Sequence, residues 1–275
     1  MKTYIWSEGF GSNLALLLAE KFNKDSSGRV PPLDGIILGD PIIDYKYQFN
    51  NFGSTALARS IIERNSFDRI SKLETKFLIQ ETTTSSLCKF YKELFNFLDQ
   101  ICPFDIYKQC EEFNFNKDCD IFPFLEIEYK HKREFLNAFN RLLKSEDLTY
   151  SITTQNIFNE LNSFDIVIKE PLSLLSNIVN KNKVMIIQSQ NNLVSNSIST
   201  MTLIDYLKWD NFQNFLIENT EVIKVDENYP SGTWTKKHYG NLWKVHVFGV
   251  GGDFMDKDKI PGFVFENIFK DFIFS

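Results

Sequence analysis

Long apolar runs are missing from this sequence: none reaches the roughly 18 residues that a membrane-spanning helix needs. The N-terminus also lacks the basic stretch followed by an apolar one that marks a secretory signal, so no export address is read there. Positive charge is in deficit, with 30 Lys and Arg against 36 Asp and Glu. The net charge of −6 and the absence of a Lys/Arg stripe interleaved with aromatics leave no electrostatic footprint for DNA or RNA. Among the many asparagines none begins an Asn-x-Ser/Thr glycosylation triplet, and neither an internal repeat nor a low-complexity segment is present.

Cysteine is scarce and confined. Cys88, Cys102, Cys110 and Cys119 are the only four, separated by 13, 7 and 8 residues. Three readings compete: a disulfide-stapled insertion, a zinc site and free thiols. Zinc ligands come in tight cysteine pairs, which these spacings do not form. Disulfides would need an oxidising compartment, and four cysteines allow three pairings. The lack of a signal and of glycosylation triplets favours an intracellular or organellar site, whereas the clustered cysteines keep an oxidising lumen open. No cofactor is expected.

What the sequence does contain is a core and an alternation of elements. Hydrophobic residues make up 43% of the chain, enough to fill an interior. Residues 1–45 read as strand, turn and helix ("YIWSEGFGSN", then "LALLLAEKF"), followed by a strand in "LDGIILGDPIID". That is a βαβ unit, which implies parallel strands. Residues 46–175 carry the cysteines and helical periodicities such as "CKFYKELFNFLDQI" and "YKHKREFLNAFNRLLK", and read as a mostly helical insertion. Residues 176–275 return to alternation: "SLLSNIVNKN" as helix, "KVMIIQSQ" as buried strand and "TLIDYLKWDNFQNFLIE" as helix. A hairpin over "SGTWTKKHYGNLWKVHVFGVGG" and an amphipathic helix over "GFVFENIFKDFIF" complete the block.

The order of these parts resembles the serine carboxypeptidase family of α/β-hydrolase fold. In that family the nucleophile turn reads Gly-Glu-Ser-Tyr-Gly/Ala-Gly, and here the corresponding residues are Ser7-Glu8-Gly9-Phe10-Gly11-Ser12. The next strand, Gly-Ile-x-Ile-Gly-Asn-Pro-x-x-Asp, is matched at Gly35, Ile36, Gly39, Pro41 and Asp44. "CPFDIYKQC" is similar to a cysteine-bearing lid segment, and "KVMIIQSQNNLVSN" to Lys-Val-Leu-Ile-Tyr-Ser-Gly-Asp-x-Asp-x-x-x-Asn. "YGNLWKVHVFGVGG" is similar to the family's closing Tyr-Gly-x-Leu-x-Phe-x-x-Val-x-Gly-Ala-Gly-His.

Carried over by this resemblance, the nucleophilic serine falls on Gly9, the acid of the triad on Asn192 and the histidine on Gly252. Glycine has neither an attacking atom nor a proton acceptor, and asparagine does not stabilise an imidazolium. Glu8 stands where the resemblance implies contact with a substrate's terminal carboxylate. The sequence begins a few residues before the nucleophile turn, and family members carry the strands and the oxyanion loop ahead of that turn. The expectation is therefore a partial α/β-hydrolase, mainly parallel, with an uncovered strand edge. The further expectation is an inactive pseudoenzyme acting as an accessory subunit in a hetero-oligomer.

The rival reading is an active serine-type carboxypeptidase with a displaced or partner-completed site. It would draw on Ser7 and Ser12, which flank Gly9, on His238 and His246 in the hairpin, on His131 and on Asp253. His246 alternates with Val245 and Val247, the spacing of a packed histidine, and His238 is expected to be exposed. Asp253, Asp256 and Asp258 lack the loop glycine and closing glutamate of an EF-hand, and "GVGG" lacks the rest of a dinucleotide fingerprint.

Overall fold

A computed structural model describes residues 2–9, 11–28, 31–48, 51–79, 94, 101, 105–107, 170–224, 233–251 and 262–275. The opening segment folds as the alternation predicts, into β1 (Tyr4–Glu8), α1 (Gly11–Lys24) and β2 (Gly35–Gly39). The helix forms because Ala15, Leu16 and Ala19 recur on one face, and all three are buried. Lys21 and Lys24 occupy its last turn, where cations suit the negative end of the helix dipole. β2 lies parallel to β1 with Glu8 opposite Gly39. It is apolar throughout and wholly buried, the composition of a parallel strand covered on both faces.

Short helices α2 (Tyr45–Gln48) and α3 (Phe52–Ala58) lead to α4 (Arg64–Ile79). After residue 170 come α5 (Pro171–Val179), β3 (Lys183–Ser189), α6 (Ser197–Asp205), α7 (Phe212–Ile217) and β4 (Glu221–Lys224). The hairpin β5 (Thr233–Tyr239) and β6 (Leu242–Val247) and the helix α8 (Gly262–Phe274) follow. One six-stranded sheet runs β1-β2-β3-β6-β5-β4. Its first four strands are parallel, and β5 and β4 are antiparallel additions.

Register decides which side chains meet. Ile36, Leu38, Val184, Ile186 and Leu242 share one face with Leu16 of α1 and with Leu175 and Ile178 of α5. Ile37, Met185, Ile187, Trp243, Val245 and Val247 share the other with Val264, Phe265, Ile268 and Phe272 of α8. Helices therefore cover both faces, and the fold is a partial α/β-hydrolase sheet in three layers. A further cluster of Phe52, Ala56, Ile70, Leu193 and Val194 joins α3 and α4 to the loop after β3. Lys2 and Lys183 pin the end of α8, donating from Nζ to the carbonyl oxygens of Ile273 at 2.6 Å and Ser275 at 2.7 Å.

Two local readings change. "TLIDYLKWDNFQNFLIE" is not one helix but α6 and α7, because the chain leaves the helix after Asp205 to bury Trp209 against Phe215, ring centroids 6.0 Å apart. β4 adds a strand that periodicity did not indicate, since a four-residue Glu-Val-Ile-Lys segment is too short to carry a pattern. The segment 88–101 lies outside the described residues apart from Leu94 and Ile101, as does the whole of 129–144 with His131.

Phe272 is fully buried and contacts Tyr4 and Trp243 with ring centroids 5.8 and 5.7 Å away. Phe272→Ala is expected to cost about 3–5 kcal/mol, read as a lowered urea midpoint. An unchanged midpoint would mean that α8 contributes nothing to holding that face.

Candidate functional site

The C-terminal ends of β1, β2 and β3 lie side by side, where parallel α/β sheets place their sites. At the end of β1 the chain turns sharply through Gly9, which has φ +53°. The Gly9 N–H donates to the Gly39 carbonyl at 2.9 Å, and the Gly9 carbonyl accepts from the N–H groups of Ser12 at 3.2 Å and Ile42 at 3.0 Å. This is the strand-to-helix turn that presents a nucleophile in hydrolases of this architecture. A Cβ built at Gly9 meets nothing within 4 Å. The turn and the room for a side chain are both present, and the residue in it is glycine.

At the end of β2 stands Asp40, 3% exposed and with φ 40°, a left-handed conformation that short polar side chains tolerate. Its Oδ1 accepts from Gln188 Nε2 and from the Ser189 backbone N–H, both at 2.7 Å. Its Oδ2 accepts from Ser189 Oγ and, at 2.8 Å, from Asn192 Nδ2. Burial pushes Asp40 up to about 7, the donors on Ser189 and Asn192 pull it back, and the charge of Glu8 adds to the rise. Four donors on two oxygens match the ionised carboxylate.

Asn192 is thus tied inward. While its Nδ2 donates to Asp40, its Oδ1 accepts from the Ser195 N–H at 3.0 Å, closing the loop that leads to α6. Gln188 Nε2 also donates to the Ser195 carbonyl, and Gln188 Oε1 accepts from Thr200 Oγ1. The loop after β6 is held to the same place: the Asn191 N–H donates to the Val250 carbonyl at 2.7 Å and the Gly249 N–H to Gln190 Oε1 at 2.8 Å. Gly252 lies outside the described residues, and so do Phe10, Asp253, Asp256, Asp258 and all four cysteines, Cys88, Cys102, Cys110 and Cys119. Glu8, at the end of β1, accepts from Trp6 Nε1 at 3.2 Å.

The sequence model of serine carboxypeptidases matches residues 1–258. The chain belongs to the serine carboxypeptidase family. Among solved structures this serine carboxypeptidase-family chain is similar to Kex1Δp, a prohormone-processing carboxypeptidase from Saccharomyces cerevisiae, with 14% identity and a TM-score of 0.58. The match covers 91% of this chain and 58% of the yeast chain. At that identity the likeness speaks for the fold. No curated protein sequence matches the chain.

The side chains of a displaced triad do not converge within the described residues. Ser7 is opposite Leu38, Leu38 opposite Ile186 and Ile186 opposite Lys244. Three strand spacings of about 4.8 Å separate Ser7 from β6, roughly 14 Å in all, and His246 lies two residues farther along. Ser7 Oγ and Ser12 Oγ are buried without a hydrogen-bond partner, so Ser12 packs the helix on the strand and caps nothing. His246 Nε2 is likewise buried and unpaired. Burial first, then the charges of Lys244 and Arg59, bring this imidazole down to about 4, far below the range of an effective base at neutral pH. His238 is not free on the surface as expected: it stacks on Trp243 at 4.2 Å, and its Nε2 lies 3.0 Å from the Gly240 carbonyl.

Sequence reasoning passed over Asp40, Gln188 and Glu74. The usable signal was a polar residue inside an apolar strand, as with Gln188 in "KVMIIQSQ", because such a residue must find buried partners. Glu74 on α4 is 5% exposed, accepts from the Gly53 N–H at 2.8 Å and is pushed up to about 7 by burial. It ties α3 to α4. Among the described residues no group of three or more His, Cys, Asp or Glu side chains is placed to hold a metal ion, and no helix is long and apolar enough to cross a membrane.

His246 titrates at about 4 when folded and near 6.5 when unfolded, so between those values the unfolded chain binds more protons. Stability from this group is complete above pH 6.5 and is lost as pH falls towards 4. From pH 7 to pH 4 the wild type should therefore lose up to about 3 kcal/mol more than His246→Phe, measured by urea unfolding. Asp40 and Glu74, raised rather than lowered, act in the opposite sense in both proteins and drop out of the difference. Equal losses would show that His246 is not held neutral.

Proposed function

We propose that this chain is a catalytically inactive serine-carboxypeptidase-like protein that works as an accessory subunit, its β1 edge covered by a partner chain. The observation that carries the reading is the edge itself. Among the described residues β1 pairs with β2 and with no other strand, and all five of its residues are partly exposed. Its sequence, Tyr-Ile-Trp-Ser-Glu, has none of the lysine or proline devices by which proteins blunt a free edge. Beside it, α1 turns Leu14, Leu17 and Leu18 to solvent, exposed by 55, 37 and 44% at helical spacing. An open strand beside an apolar helix stripe suits a partner that adds a strand and lays an apolar surface over the leucines.

Inactivity is supported by what occupies the working positions. Gly9 brings no nucleophile to an otherwise well-formed turn, and Asn192 spends its amide on Asp40 and Ser195. Acyl transfer by a serine enzyme needs a hydroxyl, a base in contact with it and a group that orients the base. The described serines and histidines do not meet in that way.

Expressed alone, the chain is expected to aggregate or elute as oligomers on size exclusion. Leu14→Lys combined with Leu18→Glu should raise its soluble monomer fraction severalfold. A wild-type chain that stays monomeric at high concentration would remove the need for a partner. A serine-reactive fluorophosphonate probe should leave the protein unlabelled, and stoichiometric labelling at Ser7 or Ser12 would establish the rival reading, an active serine-type hydrolase.

A further inference from the structure

The densest set of buried polar contacts in the described residues is centred on one carboxylate. Asp40 takes four donors from a single continuous segment, β3 and the loop after it, through Gln188, Ser189 and Asn192. All of them are nearly inaccessible: Gln188 and Ser189 are 0% exposed and Asn192 is 5% exposed. The Asp40 N–H also donates to the Ile187 carbonyl at 2.8 Å, so backbone and side chain both cross from β2 to β3. The segment offers no ionisable group to Asp40, and the charged neighbour acting on it is Glu8 of β1.

This geometry restricts what position 192 can hold. Asn192 Nδ2 stands 2.8 Å from Asp40 Oδ2. A carboxylate at 192 would put an acceptor against an acceptor and two like charges in contact inside the protein, where neither can be hydrated. We infer that Asp40 is the positioning residue for the end of β3, and that its charge obliges position 192 to carry an amide instead of an acid. The inference rests on the reading, drawn from the family resemblance, that 192 is the acid position. The family strand quoted above has asparagine where this chain has Asp40, so the acid and the amide have changed places across the same contact.

The exchange keeps the contact between positions 40 and 192 and the one to Ser195. With Asn at 40 and Asp at 192, the amide of residue 40 would donate to the new carboxylate, whose second oxygen would still accept from the Ser195 N–H. One negative charge remains; the Ser189 hydroxyl, which donates to Asp40 Oδ2, would turn to accept from the second amide hydrogen of residue 40, so this one bond reverses its direction. Asp40→Asn alone sets an NH2 group against the Asn192 amide, and turning that amide over would take its oxygen away from Ser195. Asn192→Asp alone sets two acids together. Restoring an acid at 192 therefore destabilises the folded state unless position 40 changes as well.

The test is a double-mutant cycle on the full chain with Asp40→Asn, Asn192→Asp and the combined exchange, following thermal unfolding at pH 5 and pH 8. Asn192→Asp is expected to lower Tm at pH 8 by about 5–10 °C and by clearly less at pH 5, where one of the paired acids can take up a proton. The combined exchange should recover at least half of the summed losses. Should Asn192→Asp give no soluble protein, recovery of soluble yield in the combined exchange serves as the same readout. Additive losses, an Asn192→Asp protein as stable as wild type at pH 8, or a pH-independent loss would overturn the inference. These melts are indifferent to whether the chain has a partner or turns over a substrate, so their failure is separable from that of the proposed function.

Discussion

A single buried carboxylate accepts four donors from the end of β3 and the loop after it, and the site around it depends on that contact. Asp40 lies at a left-handed bend that lets β2 stop, and its side chain holds the loop from Gln188 to Ser195 that lets β3 stop. The adjoining turns follow from it. Pro41 offers its carbonyl to Gln48 Nε2 at 2.6 Å and to Ser195 Oγ at 3.1 Å, and Ile42 donates to the Gly9 carbonyl. Strand ends that would otherwise leave buried backbone groups unpaired are satisfied by one another, a condition that interiors rarely relax.

The frame around this contact is that of a serine carboxypeptidase, and the positions where family chemistry is expected are populated differently. Gly9 occupies a sharp, open turn with space around it, whereas Asn192 is enclosed and committed. A turn can persist without its nucleophile because backbone hydrogen bonds hold it, and these do not depend on the side chain. An acid position has no such independence, because its side chain is itself part of the packing. On the proposed reading, one position could simply empty while the other needed an exchange.

Much of the architecture was legible before any coordinates. β1, α1, β2, β3, the β5–β6 hairpin and α8 each carry a period or an apolar run long enough to announce itself, and family order then placed them in one sheet. The failures have a common cause. Trp209 broke the expected long helix because the demand to bury one large ring outweighed helical periodicity, and β4 was too short to show a pattern. His238 looked exposed beside Lys237 and Tyr239, yet its place opposite Trp243 is a cross-strand fact invisible in one strand's sequence. Asp40 in "LDGIILGDPIID" carries no local signal, because its partners lie about 150 residues away along the chain.

The two borders of the sheet are unequal. β4, at the far side, is four residues long with a charged residue at each end, and Glu221 there is exposed and paired with Lys236. β1, at the near side, is longer and aromatic, with a charge at one end alone, Glu8. A sheet that accepts a neighbour at one border alone makes a closed pair. On the proposed reading, an assembly built by strand addition at β1 is finite along the sheet, because a fibre built that way needs two receptive borders on every unit.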